Sequence, residues 1–363
     1  MKLNEAECTR KIKERAKESL EETGMVKVIS IDTKLKGSSP SGRRISPDFV
    51  ITLRTRDRKQ YRLYFEVKTV GQPRYVRMTV KQLQDLVSRE KRAYGIFGAP
   101  YLSEDSIRIC RENDIGCIDL AGNCLFKFDN IYINIQGKPN PYPATRLLKS
   151  LFSPKSARGL RVLLANPKKV WGVKELATEA NISLGQASNL KKKLLDYEFI
   201  EEVKTQKGVK FRLLKPESLL NKWAENYSYR LNKIKNYYSF DEVKDIETKL
   251  ISYCRTNKIL YAFTLTSGAS FVAPLLRYKR VFAYIDGSVI KDIAQDLGWK
   301  EVSSGQNISL LEPYDEGVFY GLQDINGAKV VSDVQLYLDL KSYRERGEEA
   351  AKFLLERRLR AKW

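Results

Sequence analysis

The sequence predicts a chain of several domains in the α/β and α+β classes. A mixed sheet with helices comes first, a short helical module closed by a β-hairpin stands in the middle, and an α+β region comes last. Three observations predict this. The 363 residues are more than one hydrophobic core usually serves, so two or three domains are expected. Strand-like and helix-like segments alternate through residues 1–138. Four prolines fall within 138–155, which marks 139–155 as a linker, and residues 156–214 beyond it pass from helical spacing to strict alternation.

In the first domain, residues 4–23 read as a charged helix. Segments 25–35, 47–55 and 61–69 alternate β-branched and aromatic residues with polar ones, as half-buried strands do. The polar run RTRDRKQ joins the last two as a hairpin. A helix is expected at 79–91, and the apolar run AYGIFGAPYL reads as a buried strand. SEDSIRICREND opens on a serine cap and reads as a helix. CIDLAGNCLFKF and IYINIQG close the domain as strands, with Gly122-Asn123 suited to a hairpin turn. In the last region a charged helical stretch, 215–257, is expected first. Strands at 259–266, 280–285, 317–321 and 328–331 then alternate with helices at 268–277, 288–297, 332–341 and 344–360. The terminal run EEAAKFLLERRLRAKW is amphipathic and is expected to pack on the core.

Composition narrows the function. Lys+Arg number 65 against 44 Asp+Glu, a net charge of +21, which favours encounter with polyanions. No apolar run of about 18 residues is present, so no membrane span is expected. The charged N-terminus lacks the apolar core of a signal peptide. Five scattered cysteines (Cys8, Cys110, Cys117, Cys124 and Cys254) suit reduced, buried thiols in a cytoplasm better than a zinc site. The chain contains no histidine. That excludes Ser-His-Asp and Cys-His nucleophiles, histidine acid–base catalysis and histidine metal ligands. Any catalysis is left to carboxylates, lysine and a divalent metal.

Within 156–214, SARGLRVLLANP offers Leu160, Val162, Leu163 and Leu164 to a core, and GVKELATEANI offers Leu176 and Ala177. In the next helix Ser183 is a natural N-cap, and Ala187, Leu190 and Leu194 fall on one face. Gln186, Ser188, Asn189, Lys192 and Lys193 then point elsewhere. Two alternating segments follow around a polar turn at 205–208, with Lys204, Lys207 and Lys210 along them. This order is that of a winged helix-turn-helix. Amides on the third helix can read base edges, and the lysines there and on the wing can meet phosphates. A three-helix module that binds protein is the alternative.

A second constellation lies on the strands of the first domain. Asp48 follows Pro47 at the start of one strand, and Glu66-Val67-Lys68 ends the next. Residues two apart share a strand face, so Glu66 and Lys68 point together and Asp48 can join them. Asp48, Glu66 and the Val67 carbonyl make an oxygen set suited to Mg²⁺ or Mn²⁺, and Lys68 can stabilise charge in phosphodiester hydrolysis. A surface ion pair between Glu66 and Lys68 is the alternative.

Pro47, Asp48, Glu66 and Lys68 resemble the motif of the PD-(D/E)xK nuclease superfamily. That resemblance covers about residues 1–100 and implies a restriction-endonuclease-like sheet. It also implies an acidic residue from the first helix, with Glu14, Glu18 and Glu21 as candidates, and a contribution from Lys81, Gln82 or Gln84. Such folds also occur without activity, in which case no cofactor is expected. Asp119-Leu120-Ala121-Gly122-Asn123, Val334–Leu340 and Arg346–Ala351 resemble AbiEi-type antitoxins, the transcriptional regulators of type IV toxin–antitoxin systems. This resemblance implies a DNA-binding regulator acting on the operon of a toxin partner. Thr266-Ser267-Gly268 before a helix suggests a nucleotidyltransferase loop, but Asp286 stands without the second aspartate such a site needs, so no transferase activity is read there. The partners expected are double-stranded DNA, a cognate toxin protein and a second copy of the chain, with no membrane.

Overall fold

A computed structural model describes residues 3–33, 46–88, 90–139, 151–206, 208–275, 277–344 and 346–363. The chain divides into two compact units, Met1–Arg146 with Asp196–Glu198, and Leu147–Leu195 with Phe199–Trp363. The expected linker at 139–155 falls largely outside the described residues.

The first unit is a seven-stranded sheet in sequence order: β1 (Val26–Asp32), β2 (Phe49–Thr55), β3 (Gln60–Val67), β4 (Ala93–Ala99), β5 (Gly116–Asp119), β6 (Cys124–Phe128) and β7 (Ile131–Ile135). β3, β4 and β5 run parallel and the other pairs antiparallel. Helices α2 (Pro73–Val87) and α3 (Glu104–Glu112) make the crossovers between the parallel strands, which no tight turn can provide. α1 (Glu5–Glu21) turns Cys8, Ile12, Ala16 and Leu20 onto one face of the sheet, against Phe49, Phe65, Ile96 and Phe126. α2 and α3 cover the other face through Val76, Val80, Leu83, Ile107 and Cys110. α2 begins at Pro73 rather than at residue 79, because proline at the first helical position is preorganised for the helix.

The second unit opens with α4 (Pro154–Ala165), β8 (Val170–Trp171), α5 (Val173–Glu179), α6 (Leu184–Asp196) and the hairpin β9 (Ile200–Thr205)–β10 (Gly208–Leu213). β8, β10 and β9 form one small sheet. Leu160, Leu163, Leu176, Leu190 and Leu194 are each buried. Gly159 is required where α4 meets α6, since a Cβ there would lie 2.4 Å from Leu190 Cδ2. After α7 (Pro216–Ala224) comes a seven-stranded sheet of order β14-β11-β15-β13-β12-β17-β16. Its strands are β11 (Lys233–Tyr238), β12 (Tyr261–Phe263), β13 (Val281–Ile285), β14 (Lys300–Glu301), β15 (Ile308–Glu312), β16 (Gln323–Ile325) and β17 (Ala328–Val330). α8 (Val243–Thr256) and α10 (Ile290–Asp296) pack on its core. The remaining helices are α9 (Leu265–Val272), α11 (Asp333–Lys341) and α12 (Gly347–Leu354).

Two expectations are corrected here. The stretch 215–257 is not all helical: β11 lies inside it, and its alternation is masked because Lys233, Lys235 and Tyr238 sit on a polar strand near the sheet edge. Residues 317–321 form no strand, since a single 3₁₀ turn at Glu316–Phe319 is capped there by the Asp315 side chain. The terminal segment packs as expected, burying Ala350, Ala351, Leu354, Leu355 and Leu359.

Candidate functional site

The third helix of the second unit presents a clear division of faces. Ala187, Leu190 and Leu194 are buried, while Ser188, Asn189 and Lys192 are exposed along one side of α6. The Ser183 hydroxyl accepts from the Gln186 amide at 3.2 Å, and the Gln186 side-chain oxygen accepts from the Ser183 amide at 2.9 Å. This reciprocal cap commits the Gln186 carbonyl to the helix start and leaves its amide nitrogen for other work. Lys193 is half-buried, and burial holds its ammonium below the ordinary lysine range. Lys204 is exposed on β9, and Lys210 on β10 stands 3.9 Å from Glu175. Lys207 lies outside the described residues. The hairpin closes through Gly208, whose φ of +103° suits glycine, and through the Thr205 hydroxyl donating to the Gly208 carbonyl. Leu184 is also exposed at the start of α6, a position that helical periodicity alone had not marked.

In the first unit Asp48, Glu66 and Lys68 gather at one end of β2 and β3. Asp48 precedes the paired Phe49 and Phe65, and its carboxylate accepts from the Val67 amide at 2.6 Å. Lys68 donates to Glu66 at 2.6 Å. Burial pushes the Asp48 carboxyl up, against the pull of the Val67 amide and Lys68. Burial pushes Glu66 up as well; Lys68 opposes it and the neighbouring Asp48 charge adds to it. Burial works against the Lys68 charge, but the hydrogen bond to Glu66 and the surrounding carboxylates outweigh it.

The charge of Glu5, in the first turn of α1, acts on all three. Of the α1 carboxylates, it is the Glu5 charge that reaches the trio, while Glu14 and Glu18 pair with Arg10 and Arg15, and Glu21 is exposed. α1 reaches the trio with its first turn, where the Cys8 thiol contacts the Lys68 carbonyl at 3.8 Å. Burial, then Asp48, pushes that thiol up to about 11, which keeps it protonated. Lys81 and Gln82 are exposed, and Gln84 donates to the Asn113 carbonyl. Among the described residues no group of three or more Cys, Asp or Glu side chains surrounds a common metal position. The donor chemistry of Asp48 and Glu66 nonetheless fits a hard divalent cation, which would relieve the mutual repulsion of two half-buried carboxylates.

A third cluster lies in the second unit. α11 is buried from Asp333 to Leu340, polar residues included. The Asp339 carboxylate accepts from Tyr227, Tyr284, Thr264 and Gln335. Gln335 in turn accepts from Arg161 of α4 at 2.6 and 3.0 Å. The guanidinium is fully buried, stacks 5.1 Å from the Trp223 ring and donates to the Tyr314 hydroxyl. Arg158 pairs with Asp315 in the same interface at 2.8 Å. Thr266, Ser267 and Gly268 lie in α9, where the Ser267 hydroxyl accepts from the Phe282 amide, and Asp286 is exposed. No helix among the described residues is long and apolar enough to cross a membrane.

Residues 212–360, less than half of the chain, match a family described as transcriptional regulator, AbiEi antitoxin, Type IV TA system. The matched region contains α11, Gln335 and Asp339. No curated protein matches the chain, and no solved structure does.

Proposed function

We propose that the chain is a DNA-binding transcriptional regulator similar to AbiEi-type antitoxins, and that residues 156–214 act as a winged helix-turn-helix on duplex DNA. The observation that carries this is the row Ser188, Asn189 and Lys192, exposed on α6 opposite its buried face, directly before a region that matches that regulator family. Asn189 is of the right type to read an adenine edge, and the lysines would meet phosphates. The family's description suggests a partner toxin, and the reading extends to autoregulation of an operon shared with it. The test is a gel shift with the DNA upstream of the gene. Lys192→Gln with Lys193→Gln weakens binding, and neutralising two phosphate contacts lowers the slope of log affinity against log salt by about 1.8. Unchanged binding and slope would remove α6 from the DNA face.

A second reading is favoured by the gathering of Asp48, Glu66 and Lys68 beside Glu5. Here the first unit is a restriction-endonuclease-like domain and a Mg²⁺- or Mn²⁺-dependent endonuclease. Asp48, Glu66 and the Val67 carbonyl would hold the ion, which supplies Lewis-acid activation of water and phosphate. Lys68 orients the nucleophile and carries compensating charge. Cleavage of duplex, branched or single-stranded DNA that disappears with chelator and in Asp48→Ala and Lys68→Ala supports it; no cleavage of any of them rejects it.

A further inference from the structure

We propose that Arg15, Lys138 and the glycine turn at Gly122 form a seat for a phosphodiester group of a nucleic-acid strand, separate from α6 and the hairpin. Gly122 has φ +92°, and a Cβ added there would lie 2.4 Å from Arg15 Nη2 and 2.9 Å from Lys138 Nζ. Two cationic groups therefore converge on one stretch of backbone that only glycine leaves open. Like charges brought this close repel, and an oxyanion between them reverses the sign of the interaction.

Among the described residues the exposed Glu18 is the one carboxylate that pairs with either cation. Asp119, which begins the turn, is fully buried, and its carboxylate accepts from the Asn123 amide, the Asn123 side chain and the Leu102 amide. Arg15 has one exposed partner, Glu18 at 3.2 Å, and its Nε is buried with no hydrogen-bond acceptor. Among the described residues no carboxylate pairs with Lys138. Its backbone is nevertheless fixed, because the Asn123 side chain accepts from the Lys138 amide at 2.8 Å and donates to its carbonyl at 3.2 Å. Asn123 thus fixes the Lys138 backbone beside Arg15, and Asp119, committed to Asn123 and Leu102, pairs with neither cation.

The seat also has a direction. α1 carries Cys8 at the Lys68 carbonyl and Arg15 at Gly122. Two helical turns separate them, about 10 Å, or about three steps of the 3.4 Å rise along a B-form strand. A strand whose phosphate rests on Arg15 and Lys138 can pass the Asp48–Glu66–Lys68 cluster. The seat rests on neither functional reading, since it needs only a polyanion.

The test uses the intact, unaltered protein. Lysines are acetylated with a water-soluble ester, with and without a duplex oligonucleotide, and each site is followed by mass spectrometry. Protection of Lys138 is the expected result, with Lys192 as an internal control for the α6 face. Protection of Lys192 without Lys138 overturns the seat and leaves the α6 reading standing. Protection of Lys138 without Lys192 upholds the seat and counts against α6. Inorganic phosphate is run in parallel; protection by it and not by the oligonucleotide overturns the nucleic-acid assignment. Independently, Lys138→Gln lowers the salt slope of duplex binding by about 0.9, and an unchanged slope counts against the seat.

Discussion

Asp339 sets a pH dependence that can be read at a single residue. Burial pushes its carboxyl from 3.8 up to about 6, although Thr264, Tyr227, Tyr284 and Gln335 all donate to it. The folded value lies above the ordinary one, so this group's contribution is full below 3.8 and is lost as pH rises through about 6. Lowering the pH from 7 to 5 therefore adds about 1 kcal/mol of stability through Asp339, on the scale of 1.36 kcal/mol per unit. Urea unfolding of the wild type and Asp339→Asn at the two pH values isolates this gain as a difference. An equal pH response in both proteins would refute it. The same residue shows why a short family-like motif is kept polar inside a core: each buried donor around it needs an acceptor.

At the scale of an element, the start of α6 decides how its exposed face is presented. The Ser183–Gln186 cap satisfies two amides that the helix would otherwise leave open. Ser183→Ala should lower stability by about 1 kcal/mol. Combined with Gln186→Ala, the loss should be less than additive, because both changes break one motif; thermal unfolding of the two single variants and the double variant measures this. Additive losses would mean that Gln186 acts outside the cap. The element boundaries in this segment were legible because apolar spacing, a serine cap and a glycine turn all agree. β8 was not, since a two-residue strand carries no periodicity and exists only by pairing with β10.

Over the whole of the second unit, Arg161 ties the helical module to the region that matches the antitoxin family. Its side chain is fully buried against Gln335, Tyr314 and Trp223. Arg161→Ala leaves the Gln335 carbonyl without its donor and opens a cavity, a loss of about 2–4 kcal/mol. Because the residue joins α4 to α11, hydrogen exchange should quicken in α4 and α11 together; acceleration confined to one would show that they open independently. The gathering of two carboxylates and a lysine was legible too, since hairpin spacing and alternation were enough to bring Asp48, Glu66 and Lys68 together. Glu5 was not, because nothing in the local pattern says which turn of α1 meets the end of β3.

Sequence alone was enough for the strands and helices of the first unit, the buried stripe of α6, the polar residues opposite it and the shared strand face of Glu66 and Lys68. Each of these follows from a period of 3.6 or 2, or from spacing within about 20 residues, which local geometry governs. Only the folded chain shows that the Glu5 charge reaches Glu66, that Arg15 and Lys138 converge on Gly122, and that Arg161 reaches Gln335. Those contacts join residues as far as 174 positions apart in sequence, across layers whose register no short-range pattern encodes.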